Sequence, residues 1–151
     1  MLFRSRSFIH HYRAVLLDTT LPYPGVREGL QTLRAAGLPM AVVSNKPHEL
    51  TAEVVEGLGL SQFFGPVLGG DSTAHKKPAP DLLLMAAEHL GVSPADCMMV
   101  GDSDVDIAAA AAAGMRALWC SWGGIHPDRP AAAVEEVDEF AQVVVRALGR
   151  A

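Results

Sequence analysis

Apolar positions along the chain follow two alternating rhythms. Val26, Leu30 and Leu33 recur at helical spacing, with Gly37 as a stop signal behind them. Met40 to Val43 is then a continuous apolar run ending in Ser44-Asn45, the pattern of a strand buried on both faces. Leu50, Val54 and Leu58 mark a second helix that ends among Gly57 and Gly59, and Pro66-Val-Leu68 a brief strand before Gly69-Gly70-Asp71. Pro80 opens a third helix carrying Leu83, Ala87 and Leu90, which Gly91 closes. Cys97 to Val100 reads as the next strand and runs into Gly101-Asp102-Ser103. The alanine-rich segment up to Ala113 reads as helix capped at Gly114, Ala117 to Cys120 as strand, and Phe140 to Leu148 as a terminal helix.

Strands alternating with helices of this length predict βαβ units, right-handed crossovers and a parallel sheet, so the class is α/β. In such sheets ligands bind beyond the carboxyl ends of the strands. The polar residues that follow each apolar run are therefore the ones to question.

Composition narrows the function classes. The chain has 151 residues, half of them hydrophobic, which suits one globular domain. Its 12 basic and 17 acidic residues leave a net charge of −5, which argues against binding nucleic acid through a basic face. No run of about 18 apolar residues occurs, so no membrane-spanning helix is expected. The N-terminus is rich in Arg and Ser but lacks an apolar signal core, and a cytoplasmic location is expected. Cys97 and Cys120 lack metal-ligand spacing and read as buried free thiols. His10, His11 and His126 have no third ligand at suitable spacing and read as surface residues. Trp119 reads as core, Trp122 as a pocket-rim residue, Asp71 as a turn residue and Asp104 as an outward-facing charge or helix cap.

Ser44, Lys77 and the acidic cluster Asp102, Asp104 and Asp106 each have an ordinary explanation alone: a cap, a solvated loop, a helix-dipole complement. Together, a hydroxyl, an ammonium and carboxylates at one strand edge suit phosphoryl transfer. The hydroxyl would bind phosphoryl oxygens, Lys would neutralise charge, and carboxylates would hold Mg²⁺. Gly101 would let backbone approach the ion closely. Asp102 and Asp106, four residues apart, would lie one at the strand end and one in the first helical turn.

Val43-Ser44-Asn45-Lys46-Pro47, Gly69-Gly70-Asp71, Lys77-Pro78-Ala79-Pro80 and Gly101-Asp102-Ser103-Asp104-Val105-Asp106 resemble, in order and spacing, motifs II to IV of the haloacid dehalogenase superfamily. Pro22-Tyr23-Pro24-Gly25-Val26 is similar to the phosphoglycolate phosphatase branch. The resemblance implies a Rossmann-like parallel sheet flanked by helices and Mg²⁺-dependent hydrolysis of a small phosphorylated metabolite through an aspartyl-phosphate. It implies that Ser44 and Asn45 bind the phosphoryl group, that Lys77 neutralises it and the nucleophile, and that Asp102 with Asp106 binds Mg²⁺.

The superfamily's first motif, a strand ending in Asp-x-Asp-x-Thr, has no match in the 151 residues. That motif supplies the nucleophile and the general acid/base, so weak or absent turnover is expected. In the family that strand lies between those here ending at Ser44 and Asp102. Its loss would leave both neighbours without backbone partners around a slot lined by Val and Met. Residues 22–151 are expected to form the core, and residues 1–21 a remnant of a cap helix or a substitute strand. Phe8, Tyr12, Val15 and Leu16 fit the helix; Ala14 to Leu17 followed by Asp18 fits the strand, with Asp18 as surrogate nucleophile. Two other readings stand beside the enzyme: a non-catalytic Mg²⁺/phosphate-binding or regulatory module, and a sequence that is a piece of a longer gene. The uncovered sheet also leads us to expect homodimers.

Overall fold

The computed structural model describes residues 21–122 and 134–149. The readings made for Asp18, for residues 14–17 and for His10, His11 and His126 fall outside them. Among the described residues the order is α1 (Val26–Ala35), β1 (Val42–Val43), α2 (His48–Gly57), β2 (Val67–Leu68), α3 (Asp81–Leu90), β3 (Met98–Gly101), α4 (Asp104–Ala113), β4 (Arg116–Cys120), β5 (Glu135–Val137) and α5 (Phe140–Leu148). Single 3₁₀ turns at Ser61–Phe63 and Pro94–Asp96 lead into β2 and β3. All strand pairs are parallel, as the α/β reading requires.

Among the described residues the sheet comes in two pieces. β1 pairs with β2, with Val42 opposite Val67 and Val43 opposite Leu68. β3, β4 and β5 form the second piece, with Met98 to Gly101 of β3 opposite Arg116 to Trp119 of β4. Among the described residues, the edges of β1 and β3 that face away from these partners carry no strand. The apolar run from Met40 predicted a longer first strand than Val42–Val43, and pairing along one edge alone explains the difference.

One helical layer nevertheless covers both pieces. Leu82, Leu83 and Ala86 of α3 and Ala109, Ala110 and Ala113 of α4 pack against Ala41 and Val43 on one side and Met99 and Ala117 on the other. On the opposite face Met40 and Val42 meet Leu30 of α1 and Val55 of α2, while Met98 and Val100 meet the cluster of Leu118, Val137 and Val143 from β4, β5 and α5. Successive residues of each strand thus point to opposite layers, the period-two pattern that makes both faces apolar. The alanines of α4 allow close approach: Ala109 and Ala110 are fully buried beneath the sheet. α3 and α4 each end at a glycine with positive φ, Gly91 at 67° and Gly114 at 70°, where the next N–H bonds back into the last turn.

β5 is legible only in three dimensions. Its Glu-Glu-Val carries too little apolar signal to read as a strand, yet Val137 is buried and Glu135 is held by Arg116 of β4 at 2.5 Å and by Arg146 of α5. Cys120 and Trp119 lie in the core as expected, whereas Cys97 is half-buried because it sits on the wall of the gap beside β3.

Asp71, at the turn after β2, does more than turn the chain. Its Oδ1 accepts the N–H of His48 at 2.6 Å, capping the first turn of α2 from a distant loop. That hydrogen bond holds the Asp71 carboxyl below its ordinary value. Because the unfolded chain then binds the proton more readily, the cap stabilises the fold above the unfolded carboxyl's pKa and is lost as pH falls through the folded one. Asp71→Asn should therefore flatten the acid limb of a urea-midpoint-against-pH curve while leaving its shape above neutrality unchanged.

Candidate active site

The carboxyl ends of β1 and β3 open onto a cleft of about 350 Å³ lined by Ser44, Lys77, Asp102 and Asp106, with Tyr23, Cys120 and Trp122 at its walls. Each polar group arrives by a different route. Ser44 follows β1, and its Oγ accepts the N–H of Lys46 at 3.1 Å, a local turn that fixes the hydroxyl at the strand end. Asp102 follows β3 and is exposed, its backbone carbonyl facing the Trp119 indole N–H at 3.4 Å. Lys77 comes from the long loop after β2, across a cis Lys77-Pro78 bond.

Lys77 is the most constrained group in the cleft. Its Nζ lies 2.6 Å from Asp106 Oδ1 and donates to the Val43 carbonyl at 3.1 Å. Both side chains of the pair are over nine-tenths buried. The second oxygen of Asp106 accepts from Ser103 Oγ at 2.9 Å, and Ser103 in turn caps α4 by accepting the Asp106 N–H at 3.3 Å. Asp106 thus has a donor on each carboxylate oxygen. Asp106, expected to support a cation at Asp102, has its two oxygens on the Lys77 ammonium and the Ser103 hydroxyl. Gly101 permits this, because a Cβ there would collide with the Asp106 carboxyl carbon and its Oδ2.

Asn45 grips the same lysine from the other side. Its Nδ2 donates to the Lys77 carbonyl and its Oδ1 accepts the Lys77 N–H, both at 2.9 Å. The Asn45 side-chain amide is therefore engaged with the loop backbone, pinning Lys77 beside β1. This pair of hydrogen bonds across 32 residues has no local sequence signal.

Asp104 is exposed at the start of α4. Cys120 is no candidate nucleophile: burial, with the charges of Asp102 and Asp106 adding, pushes its thiol up to about 12. For the Mg²⁺ that the resemblance implies, Asp102 is the sole cleft carboxylate not already bound by Lys77 and Ser103. Among the described residues no three His, Cys, Asp or Glu side chains gather into a ligand set. Of the described residues, Asp102 is the one placed to hold such an ion, as a single carboxylate ligand.

Comparison with known proteins identifies a family and a fold. A family profile described as "Hydrolase: haloacid dehalogenase-like hydrolase" matches residues 3–114. A phosphoglycolate phosphatase of Chromobacterium violaceum is 44% identical over 118 residues, covering 78% of this chain and 53% of its own. A structure described as a "predicted phosphoglycolate phosphatase" from Haemophilus somnus superposes with a TM-score of 0.77 at 32% identity, over 82% of this chain and 56% of that one. A HAD family hydrolase of Deinococcus radiodurans, solved with bound phosphate and sodium, superposes with a TM-score of 0.70 at 31% identity, over 80% of this chain and 56% of that one. The chain spans about half the length of the curated relatives it matches. Among the described residues no helix is long and apolar enough to cross a membrane.

Asp106→Ala would leave the Lys77 ammonium buried without its anion, and should cost about 3–5 kcal/mol in urea unfolding. The double variant Lys77→Met/Asp106→Leu should recover most of that loss, because it leaves no buried charge behind. Gly101→Ala should be destabilising by about 1–3 kcal/mol through overpacking, whereas Asp104→Ala, on the exposed face, should move the midpoint by less than about 0.5 kcal/mol.

Proposed function

The chain belongs to the haloacid dehalogenase-like hydrolases, and on that premise we propose that its cleft is the phosphate-binding half of a phosphomonoester hydrolase whose substrate is a small phosphorylated acid such as 2-phosphoglycolate. The observation that carries the reading is the meeting of Ser44, Lys77 and Asp102 at the carboxyl ends of β1 and β3. A phosphoryl group seated there would accept a hydrogen bond from the Ser44 hydroxyl. The Lys77 ammonium, fixed by Asp106, Val43 and Asn45, would lie against its oxygens without reorganising as charge develops. Four hydrogen bonds hold the residue at its backbone and its Nζ. Asn45 then acts as a positioning residue. The phosphate bound by the Deinococcus relative supports the ligand class, and the Chromobacterium relative supports the substrate. Mg²⁺, the metal proposed for this reaction, would lend positive charge to the phosphoryl oxygens when bound, with Asp102 as the carboxylate to hold it.

Hydrolysis by way of a phosphorylated carboxylate needs a nucleophile, and among the described residues Asp102 is the one cleft carboxylate outside the Lys77 ion pair. A second reading follows from that observation: the 151 residues bind phosphate and turn over little or nothing. Both readings share a first test. Inorganic phosphate at a hundred times its Kd should raise stability by about 2.7 kcal/mol, and Ser44→Ala should weaken that stabilisation without unfolding the chain. Absence of any phosphate effect on the melting temperature would overturn the binding site itself. Release of p-nitrophenol from p-nitrophenyl phosphate then separates the readings: negligible release is expected, and robust Mg²⁺-dependent release abolished by Asp18→Asn would establish Asp18 as the nucleophile.

A further inference from the structure

The loop that carries Ser44 leaves the β1–β2 ladder by a slip in register. With Val43 opposite Leu68, a regular parallel ladder would send the Gly70 N–H to the Ser44 carbonyl. It goes instead to the Lys46 carbonyl at 2.7 Å, while the Ser44 N–H keeps its place on the Leu68 carbonyl at 3.0 Å. The chain around Asn45 is thereby bulged out at the strand end, beside the cleft that Ser44 lines. A second loop shapes that bulge. A Cβ at Gly69 would collide with the backbone of Pro47 and His48, and one at Gly70 with the Asn45 carbonyl, so Gly69-Gly70 lies flat against it. The Ser72 hydroxyl accepts the Gly69 N–H at 2.9 Å and holds the glycine turn closed. Asp71 fixes the far end of the bulge, where its Oδ1 accepts the His48 N–H.

We propose that Asp71 is a positioning residue for phosphate: its carboxylate, acting through the His48 N–H, keeps the backbone from Ser44 to Lys46 in the shape that receives a phosphoryl group. Resting on the reading of the cleft as a phosphate site, this assignment adds to it a residue that does not itself line the cleft. Charge and geometry make opposite demands on Asp71. It is an anion near an anion site, so by charge alone its removal should tighten phosphate binding. As the acceptor that anchors the loop, its removal should weaken binding, because a loosened loop must be reordered when the ligand arrives. Two observations favour geometry. The hydrogen bond to His48 is charge-assisted and short, at 2.6 Å. The carboxylate is exposed, and the nearby Lys76 ammonium offsets its charge, so little of its field reaches the cleft. The sign of the effect on phosphate affinity therefore separates the two.

The test uses the full 151-residue chain and inorganic phosphate. Phosphate is titrated at neutral pH, well below each variant's melting temperature, and binding is followed through the amide resonances of Asn45, Lys46 and His48. Asp71→Ala should weaken phosphate binding by about fivefold. Asp71→Asn, which loses the charge but keeps the acceptor, should bind phosphate at least as tightly as the wild type. Gly70→Ala, which alters no charge but presses on the Asn45 carbonyl, should also weaken binding. Asp81→Ala removes the carboxylate that pairs with the exposed His75 at the end of the same loop, and should leave the affinity within about twofold. Equal or tighter binding by Asp71→Ala would overturn the inference and leave the phosphate site standing. So would an Asn variant as weak as the Ala variant, or a loss on Asp81→Ala as large as that on Asp71→Ala. A wild-type chain that shows no saturable shift would overturn the phosphate site itself, and this assignment with it.

Discussion

The buried ion pair of Lys77 and Asp106 is the constraint on which the rest of the molecule turns. Lys77 Nζ reaches the carbonyl of Val43 at the end of one half-sheet and the carboxylate of Asp106 just beyond the end of the other. One ammonium therefore ties together two pieces of sheet that share no strand-to-strand hydrogen bond among the described residues. A buried charge pair is weak support for stability when it could be replaced by apolar groups, but strong support for a particular arrangement once it is there. Ser103, Asn45 and the missing side chain at Gly101 all serve that arrangement, two by hydrogen bonds and one by leaving space.

The same constraint explains the chemistry of the cleft. A lysine intended to meet a dianion must hold its charge in place before the ligand arrives, and must not be so neutralised that it has nothing left to offer. The Asp106 carboxylate divides its two oxygens between Lys77 and Ser103, so it orients the ammonium while its own charge is partly taken up elsewhere. Ser44 and Asp102 line the same cavity. On the proposed reading the protein has already met the cost of gathering the groups before an anion arrives.

How much of this could be read from sequence depends on the range of each interaction. Strand positions, the helix stops at Gly91 and Gly114, and the polar residues following each strand are local signals, and residues such as Ser44 and Asp102 could be singled out because they end apolar runs. The α/β class follows from the same alternation. What the sequence could not show is which polar groups partner each other across space. Asn45 was legible as a polar residue near the phosphoryl site but not as a clamp on Lys77, since the contact spans 32 residues. Asp106 was legible as an acid in a first helical turn, and four-residue spacing from Asp102 made a shared cation the natural expectation; only the position of Lys77 shows where its oxygens point. Asp71 read as turn chemistry, while its helix-capping role depends on the return of α2 to the same loop. β5 went unread because two of its three residues are glutamates, whose partners Arg116 and Arg146 lie elsewhere in the chain.

The division of the sheet also bears on how the chain comes together. β1 and β2, with α1 and α2, come from one continuous stretch of sequence, and β3 to β5 with α5 come from another. Contacts within each stretch are short in sequence separation and can form early. The two stretches are then closed on one face by α3 and α4 packing across both half-sheets and on the other by α1 against α5, where Phe140 sits among Leu30 and its neighbours. The clasp of α1 on α5 spans more than a hundred residues of sequence, so it is a late and costly loop to close and one that binds the two stretches into a single body.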